Sequence, residues 1–296
     1  MKNILLIALA LVLTSPIALA QSLNKEINSN GKSPSLLGKI NKEGLSGDNY
    51  ESWFVKNYDS YTPNQSSIDS LESHLPKYTI TAFMGTWCGD SKRVVPQFYK
   101  VLNEANFPLE RLTMVAVSRD RETYKQSPGG EHEGLNIHRV PTFIIYKNGK
   151  EVNRIVEKPV TSLEEDLQHI IQKKYTSNYH GVTLVNDLLT EIDTRSFNKK
   201  QKRLLPELKK QIKGTRELNT YASVLFSAYK KEESIIAARL NTLLYPEEAS
   251  TYTSLANKLA MTDKNEEALE NYEKALSLDP DNKRAKTGIE SLKTTN

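Results

Sequence analysis

A chain of 296 residues, 38% hydrophobic and 26% charged, is long enough for two ordinary domains. With 13 Gly and 12 Pro it is neither collagen-like nor a low-complexity polymer, and its hydropathy excludes a polytopic membrane protein. Forty basic against 36 acidic side chains leave +4, too small a surplus to argue for nucleic acid, and a single cysteine excludes an intramolecular disulfide framework.

The first twenty residues read as an export leader. Lys2 supplies a positive start, Ile4 to Leu13 is an unbroken apolar run, and Ala18-Leu19-Ala20 is a small-residue cleavage site. The run is short for a bilayer span. Gln21 stands where a lipoprotein would need cysteine, so no membrane anchor is expected in the mature chain. Cleavage after Ala20 would deliver a periplasmic or secreted protein to a compartment that oxidises thiols.

Residues 21–65 form an amino-terminal extension, expected to be flexible to about Asp48. The aromatic cluster Tyr50, Trp53, Phe54 and Tyr58 should then pack on the following domain. From 66 to 173 the pattern alternates. Ile68, Leu71 and Leu75 mark a helix, residues 78–84 a buried strand, and 91–103 a helix carrying Val94, Val95, Phe98 and Leu102. Residues 112–117 and 142–146 read as further strands. Asn148-Gly149 supplies a hairpin turn to a fourth strand over 151–156, and Leu163, Leu167, Ile170 and Ile171 mark a closing helix. This predicts an α/β unit with a mixed central sheet flanked by helices.

Beyond Tyr175 the pattern is helical. Residues 174–214 form a helical linker region whose register the sequence leaves open. Laying 215–248 over 249–282 pairs Tyr221 with Leu255, Ala222 with Ala256, Leu225 with Leu259, and Ser234 with Ala268. The second copy, with Tyr252, Leu255, Ala256, Leu259, Ala268, Tyr272, Ala275 and Pro280, resembles the tetratricopeptide family, and Arg284 to Leu292 would cap it. The expected fold class is therefore a mixed α/β domain followed by an all-α repeat domain over 215–296, with a surface for a partner protein.

The chemistry concentrates at Cys88, in Gly85-Thr86-Trp87-Cys88-Gly89-Asp90-Ser91-Lys92. The cysteine ends a strand and opens a helix, where unpaired N–H groups and the helix dipole favour a thiolate. Lys92 and Arg93 add positive charge, Asp90 opposes them, and the Ser91 hydroxyl is expected to hydrogen-bond the sulfur. Trp87 flanks the cysteine as gate or as packing. A structural cysteine is the alternative, weakened by this junction position.

Residues 66–173 resemble the thioredoxin family: Trp87-Cys88-Gly89, a helix containing Pro96, then Val140-Pro141-Thr142 and an Asn-Gly turn come in the family's order. The resemblance implies Cys88 as nucleophile, a cis bond before Pro141 beside it, and Val140, Thr142, Gly89 and Asp90 as client contacts. Two departures matter. Ser91 replaces the resolving cysteine, and Ala82 occupies the position of the family's buried carboxylate. A mixed disulfide at Cys88 then has no internal thiol to release it. The expectation is a monothiol oxidoreductase or isomerase acting on client protein thiols and disulfides, with an external small thiol or reductant and no cofactor. The alternatives are a non-catalytic protein-binding scaffold and a redox sensor.

Other candidates are weaker. His132, Glu133 and His138 follow a Gly-rich loop, where a solvated loop is expected and no metal site. His138 is a candidate to lie near Cys88. Asp120-Arg121-Glu122 follows the second strand, where α/β ligand sites tend to lie, and reads first as a solvated or salt-bridged strand end. Lys199-Lys200-Gln201-Lys202-Arg203 reads as a solvated helix face, with a client-contact patch as the alternative.

Overall fold

The computed structural model describes residues 22–28, 33–191 and 204–295. The leader, its cleavage site and the Lys199–Arg203 run lie outside the described residues. Among the described residues no helix is long and apolar enough to cross a membrane.

The amino-terminal part contributes two short strands, β1 (Glu26–Ile27) and β2 (Ser35–Leu36), then β3 (Gly38–Ile40), α1 (Lys42–Leu45) and α2 (Glu51–Asp59). The flexible arm expected to about Asp48 is thus corrected. Gly38–Ile40 pairs antiparallel with residues 114–116, and Leu36, Ile40 and Leu45 are buried. The aromatic cluster on α2 packs inward, with Phe54 edge-on to Tyr99 at 5.8 Å.

The domain core follows as α3 (Gln65–Glu72), β4 (Thr79–Met84), α4 (Gly89–Glu104), β5 (Leu112–Ala116), β6 (Thr142–Lys147), β7 (Lys150–Val156) and α5 (Leu163–Ile171). The sheet order is β3-β5-β4-β6-β7, with β4 and β5 parallel and the other pairs antiparallel. The adjacent interior strands β4 and β6 are largely apolar runs because both faces of the sheet are covered. One face packs Ile80, Ala82 and Met84 against Phe98 and Leu102 of α4, and Phe98 stacks on Phe143 at 4.0 Å. The other face gathers Phe83, Val115, Val117, Ile137, Val140 and Ile144, with Trp87 and Cys88 resting on that cluster.

The carboxy-terminal part is helical: α6 (His180–Glu191), α7 over 204–211, α8 (Thr215–Ser227), α9 (Lys231–Leu244), α10 (Ala249–Ala260), α11 (Asn265–Leu278) and α12 (Lys283–Thr295). The helix starts of α8 and α9 recur 34 residues later in α10 and α11. The turns recur as well: Tyr229 and Asp263 both have positive φ, near 60°. Lys230 N–H donates to the Leu225 carbonyl as Lys264 N–H does to Leu259, each at 3.0 Å. Ala222, Ala238, Ala256, Ala268 and Ala275 are buried where helices meet, because a small side chain permits close approach. Gly288 on α12 serves the same end, since a Cβ there would lie 2.3 Å from the Tyr272 ring.

The two parts touch through the loop after β5. Gln126 Nε2 donates to the Ser227 carbonyl at 2.7 Å and Ser227 Oγ donates to the Arg121 carbonyl at 2.8 Å. Arg139 pairs with Glu157 at 3.2 Å, donates to the Arg216 carbonyl at 3.0 Å and lies over the Tyr179 ring.

Candidate active site

Cys88 is the residue at which the backbone leaves the β4 loop, with φ −95° and ψ 126°, and enters α4 as its N-cap. Its backbone carbonyl accepts the Lys92 N–H at 3.0 Å, so the first turn is anchored on the cysteine itself. The side chain is half-buried, and its thiol donates to the Val140 carbonyl at 3.3 Å. The Val140–Pro141 bond is cis, and Val140 and Thr142 are buried beside it. Thr142 Oγ1 donates to the Arg139 carbonyl at 2.8 Å, which ties down the turn that carries Val140. Gly89 is exposed, and nothing lies within 4 Å of where its Cβ would stand.

Trp87 is fixed in place. Its Nε1 donates to the Val117 carbonyl at 2.9 Å, and its ring meets Tyr124 at 6.3 Å. Gly85 is required here, because any Cβ would come within 2.5 Å of the indole. The loop is also tied from outside, by Leu36 N–H donating to Thr86 Oγ1 at 3.1 Å.

Ser91 does not meet the sulfur as expected. It is fully buried, and its Oγ accepts the Gly85 N–H at 3.2 Å, so the hydroxyl braces the active-site loop instead. The two cations expected to act on the thiol are engaged elsewhere. Arg93 pairs with Asp90 at 2.7 Å, and Lys92 lies 6.0 Å from the Trp53 ring centroid. Ala82, at the position of the family's carboxylate, is buried between Met114 and Phe143 on the neighbouring strands.

A buried cation that the sequence reading missed, Lys125, lies in the electrostatic neighbourhood of Cys88. Its side chain is 4% exposed, Nζ donates to the His138 carbonyl at 2.5 Å, and it lies 4.8 Å from the Tyr124 ring centroid. Burial, reinforced by Arg139, lowers its pKa to about 7, while Cys88 and Glu157 oppose that shift. Lys125 reaches this place because the segment folds back on itself. Ser118 N–H donates to the Gln126 carbonyl, Lys125 N–H donates to the Ser118 carbonyl, and Lys125 takes a φ of 61°. No spacing in the sequence announces that turn.

His138 contributes its backbone to this site and its ring to the domain junction. The ring is buried edge-to-face with Tyr179 and Tyr221, at 5.9 and 6.2 Å. Nδ1 is placed to donate to the Asn136 carbonyl at 3.1 Å, while Nε2 has no partner. Burial lowers its pKa to about 3, so the ring is neutral at physiological pH. His132 Nδ1 accepts the Ser127 N–H at 3.1 Å. Among the described residues no group of three or more His, Cys, Asp and Glu is placed to hold a metal ion.

A mixed five-stranded sheet, a thiol at the first turn of the helix after β4 and a cis proline beside it define a thioredoxin-fold redox domain. A thioredoxin family profile matches residues 65–173. Thioredoxin-1 of Schizosaccharomyces pombe is 27% identical over 92 residues, which is 31% of this chain and 80% of that protein. Its mitochondrial Thioredoxin-2 is 29% identical over 87 residues, 29% of this chain and 58% of the relative. Thioredoxin of Mycobacterium bovis is 31% identical over 107 residues, 36% of this chain and 82% of that protein. The chain belongs to the thioredoxin family. These matches leave the helical carboxy-terminal part uncovered.

Proposed function

We propose that this protein is a monothiol thiol-disulfide oxidoreductase or isomerase, exported to an oxidising compartment, whose helical part binds client or partner proteins. The supporting observation is a half-buried Cys88 at the start of α4, beside the exposed Gly89, with no second cysteine in the chain.

The Cys88 thiolate attacks one sulfur of a client disulfide. A bond forms between Cys88 Sγ and that sulfur, the client S–S bond breaks, and the departing client sulfur leaves as thiolate. Gly89 and Asp90 flank the approach, the buried Val140, Pro141 and Thr142 back the thiol as the segment a client backbone would meet, and Trp87 stands beside it. Release requires a second thiolate to attack the mixed disulfide, regenerating the Cys88 thiolate. If that thiolate belongs to the same client, its disulfides are rearranged with no net electron transfer. If it is an external small thiol, the client is left reduced at one cysteine, and a further thiol completes the reduction. Residues 215–282 are read as two tetratricopeptide-type repeats with α12 as the cap, supported by the recurrent helix starts and turns. Export rests on the leader-like residues 1–20, and the mature protein should begin at Gln21.

The test is reactivation of scrambled ribonuclease with and without glutathione. Wild-type protein should form a mixed disulfide with the client at Cys88, trapped by acid quenching, and restore ribonuclease activity, faster with glutathione where an external thiol does the release; Cys88→Ser should do neither. Partner capture that survives Cys88→Ser alongside an absence of thiol exchange in the wild type would leave the scaffold reading instead.

A further inference from the structure

A wide groove lies where the two parts meet. It encloses about 1170 Å³ between the loop after β5 and the inner helices α8 and α10, closed at one end by α12. Its cationic lining comes from separate elements: Arg121 from the thioredoxin-fold domain, Arg216 from α8, Lys231 from α9, Lys258 from α10 and Arg284 from α12. Glu122 is the one carboxylate among the lining residues. Among the described residues none of these five cations is in an ion pair.

Lys258 makes this arrangement hard to explain as a solvated surface. It is 6% exposed, and its Nζ reaches only the Ser254 carbonyl and hydroxyl, at 3.4 and 3.1 Å. Burial and the neighbouring Arg121 both disfavour its charge, lowering its pKa to about 8. A buried cation beside like charge, without a counter-ion, is costly unless an anion completes the site. The remaining lining is made of hydrogen-bonding side chains such as Asn219, Thr220 and Asn257, with the 83%-exposed Tyr229 at the rim. That mixture suits an extended polypeptide with acidic side chains. At the other end Tyr124 lines the groove while its ring packs on Trp87, next to Cys88.

We infer that this groove binds an acidic, extended segment of a client polypeptide and delivers the adjoining cysteine to Cys88. The groove itself stands on its charge and shape; its delivery role rests on the proposed thiol chemistry.

The test uses the full mature chain and two fluorescein-labelled peptides of alternating Glu-Gly or Gln-Gly, neither containing cysteine. The Glu peptide should bind at least tenfold tighter than the Gln peptide, with an affinity that falls as salt rises. R216E and R284E, both at exposed positions, should each remove most of that preference, and K258M should weaken it with the far-ultraviolet spectrum unchanged. Equal binding of the two peptides, or R216E and R284E behaving as wild type, would overturn the inference. So would inorganic polyphosphate or a single-stranded oligonucleotide binding tighter than the Glu peptide. A second pair of peptides carries a terminal cysteine activated as a mixed disulfide. Faster transfer of the Glu version to Cys88 supports delivery. Equal transfer rates refute delivery while leaving the thiol chemistry standing, and no transfer of either refutes the thiol chemistry while leaving the groove.

Discussion

Replacing Lys125 by Met removes a cation buried at the back of the candidate site, and the effect should depend on pH. In the unfolded chain this amine titrates at 10.5, and in the folded protein at about 7. Below pH 7 both states carry the proton, and the fold bears the full cost of burying it. Between 7 and 10.5 the folded protein has lost the proton that the unfolded chain keeps, so the cost is relieved as pH rises. At about 1.36 kcal/mol per pKa unit, the group disfavours folding by roughly 5 kcal/mol at pH 6 and by about 1 kcal/mol at pH 9.5. Met carries no such charge but leaves the His138 carbonyl without its donor, a pH-independent cost of about 1–3 kcal/mol. Urea unfolding followed by tryptophan fluorescence, in a Cys88→Ser background that removes the thiol's own ionisation, should show the wild-type lysine gaining on K125M. The gain should be about 3–4 kcal/mol between pH 6 and pH 9.5. Two profiles that run parallel within 1 kcal/mol would refute the burial argument for this residue.

Two further outcomes follow from the site and the junction. His138, held neutral with its pKa lowered from 6.5 to about 3, costs stability progressively as pH falls through that window, because only the unfolded chain takes up the proton. From pH 6.5 to 4 the wild type should therefore lose about 3 kcal/mol more than H138F, measured by urea unfolding at each pH; equal losses would show that the ring is not sealed at the interface. Ser91→Cys should supply the missing internal thiol: S91C should form a disulfide within one chain, seen as loss of two free thiols, and its mixed disulfides with client should no longer persist. Persistence of the trapped species in S91C would contradict the monothiol reading of the wild type.

The strands and helices of the thioredoxin-fold domain were legible because each element carries its own signal. Residues 79–84 and 142–147 are apolar runs long enough for a buried strand, Asn148-Gly149 specifies a turn, and α4 shows its apolar stripe around Pro96. The position of Cys88 between strand and helix was legible for the same reason. β3 was not, since Gly38-Lys39-Ile40 is too short to stand out from its polar surroundings, and its strand character comes from pairing with β5. Ser91 was misread because spacing brings its hydroxyl to the right turn of the helix but does not say that the Gly85 N–H will claim it.

Sequence by itself therefore determined the class of chemistry: one sulfur, no partner thiol, a helix start to hold it and a proline segment to lie beside it. Those are local properties, written in adjacent residues and in the periods of strand and helix. Only the tertiary structure decided which charges face that sulfur and which line the groove beside it. Lys125 and Lys258 stand in unremarkable stretches of sequence, and their chemistry arises when folding takes them out of water and sets them against groups far along the chain. Electrostatic environment depends on distance and burial, and neither is a property of sequence neighbours.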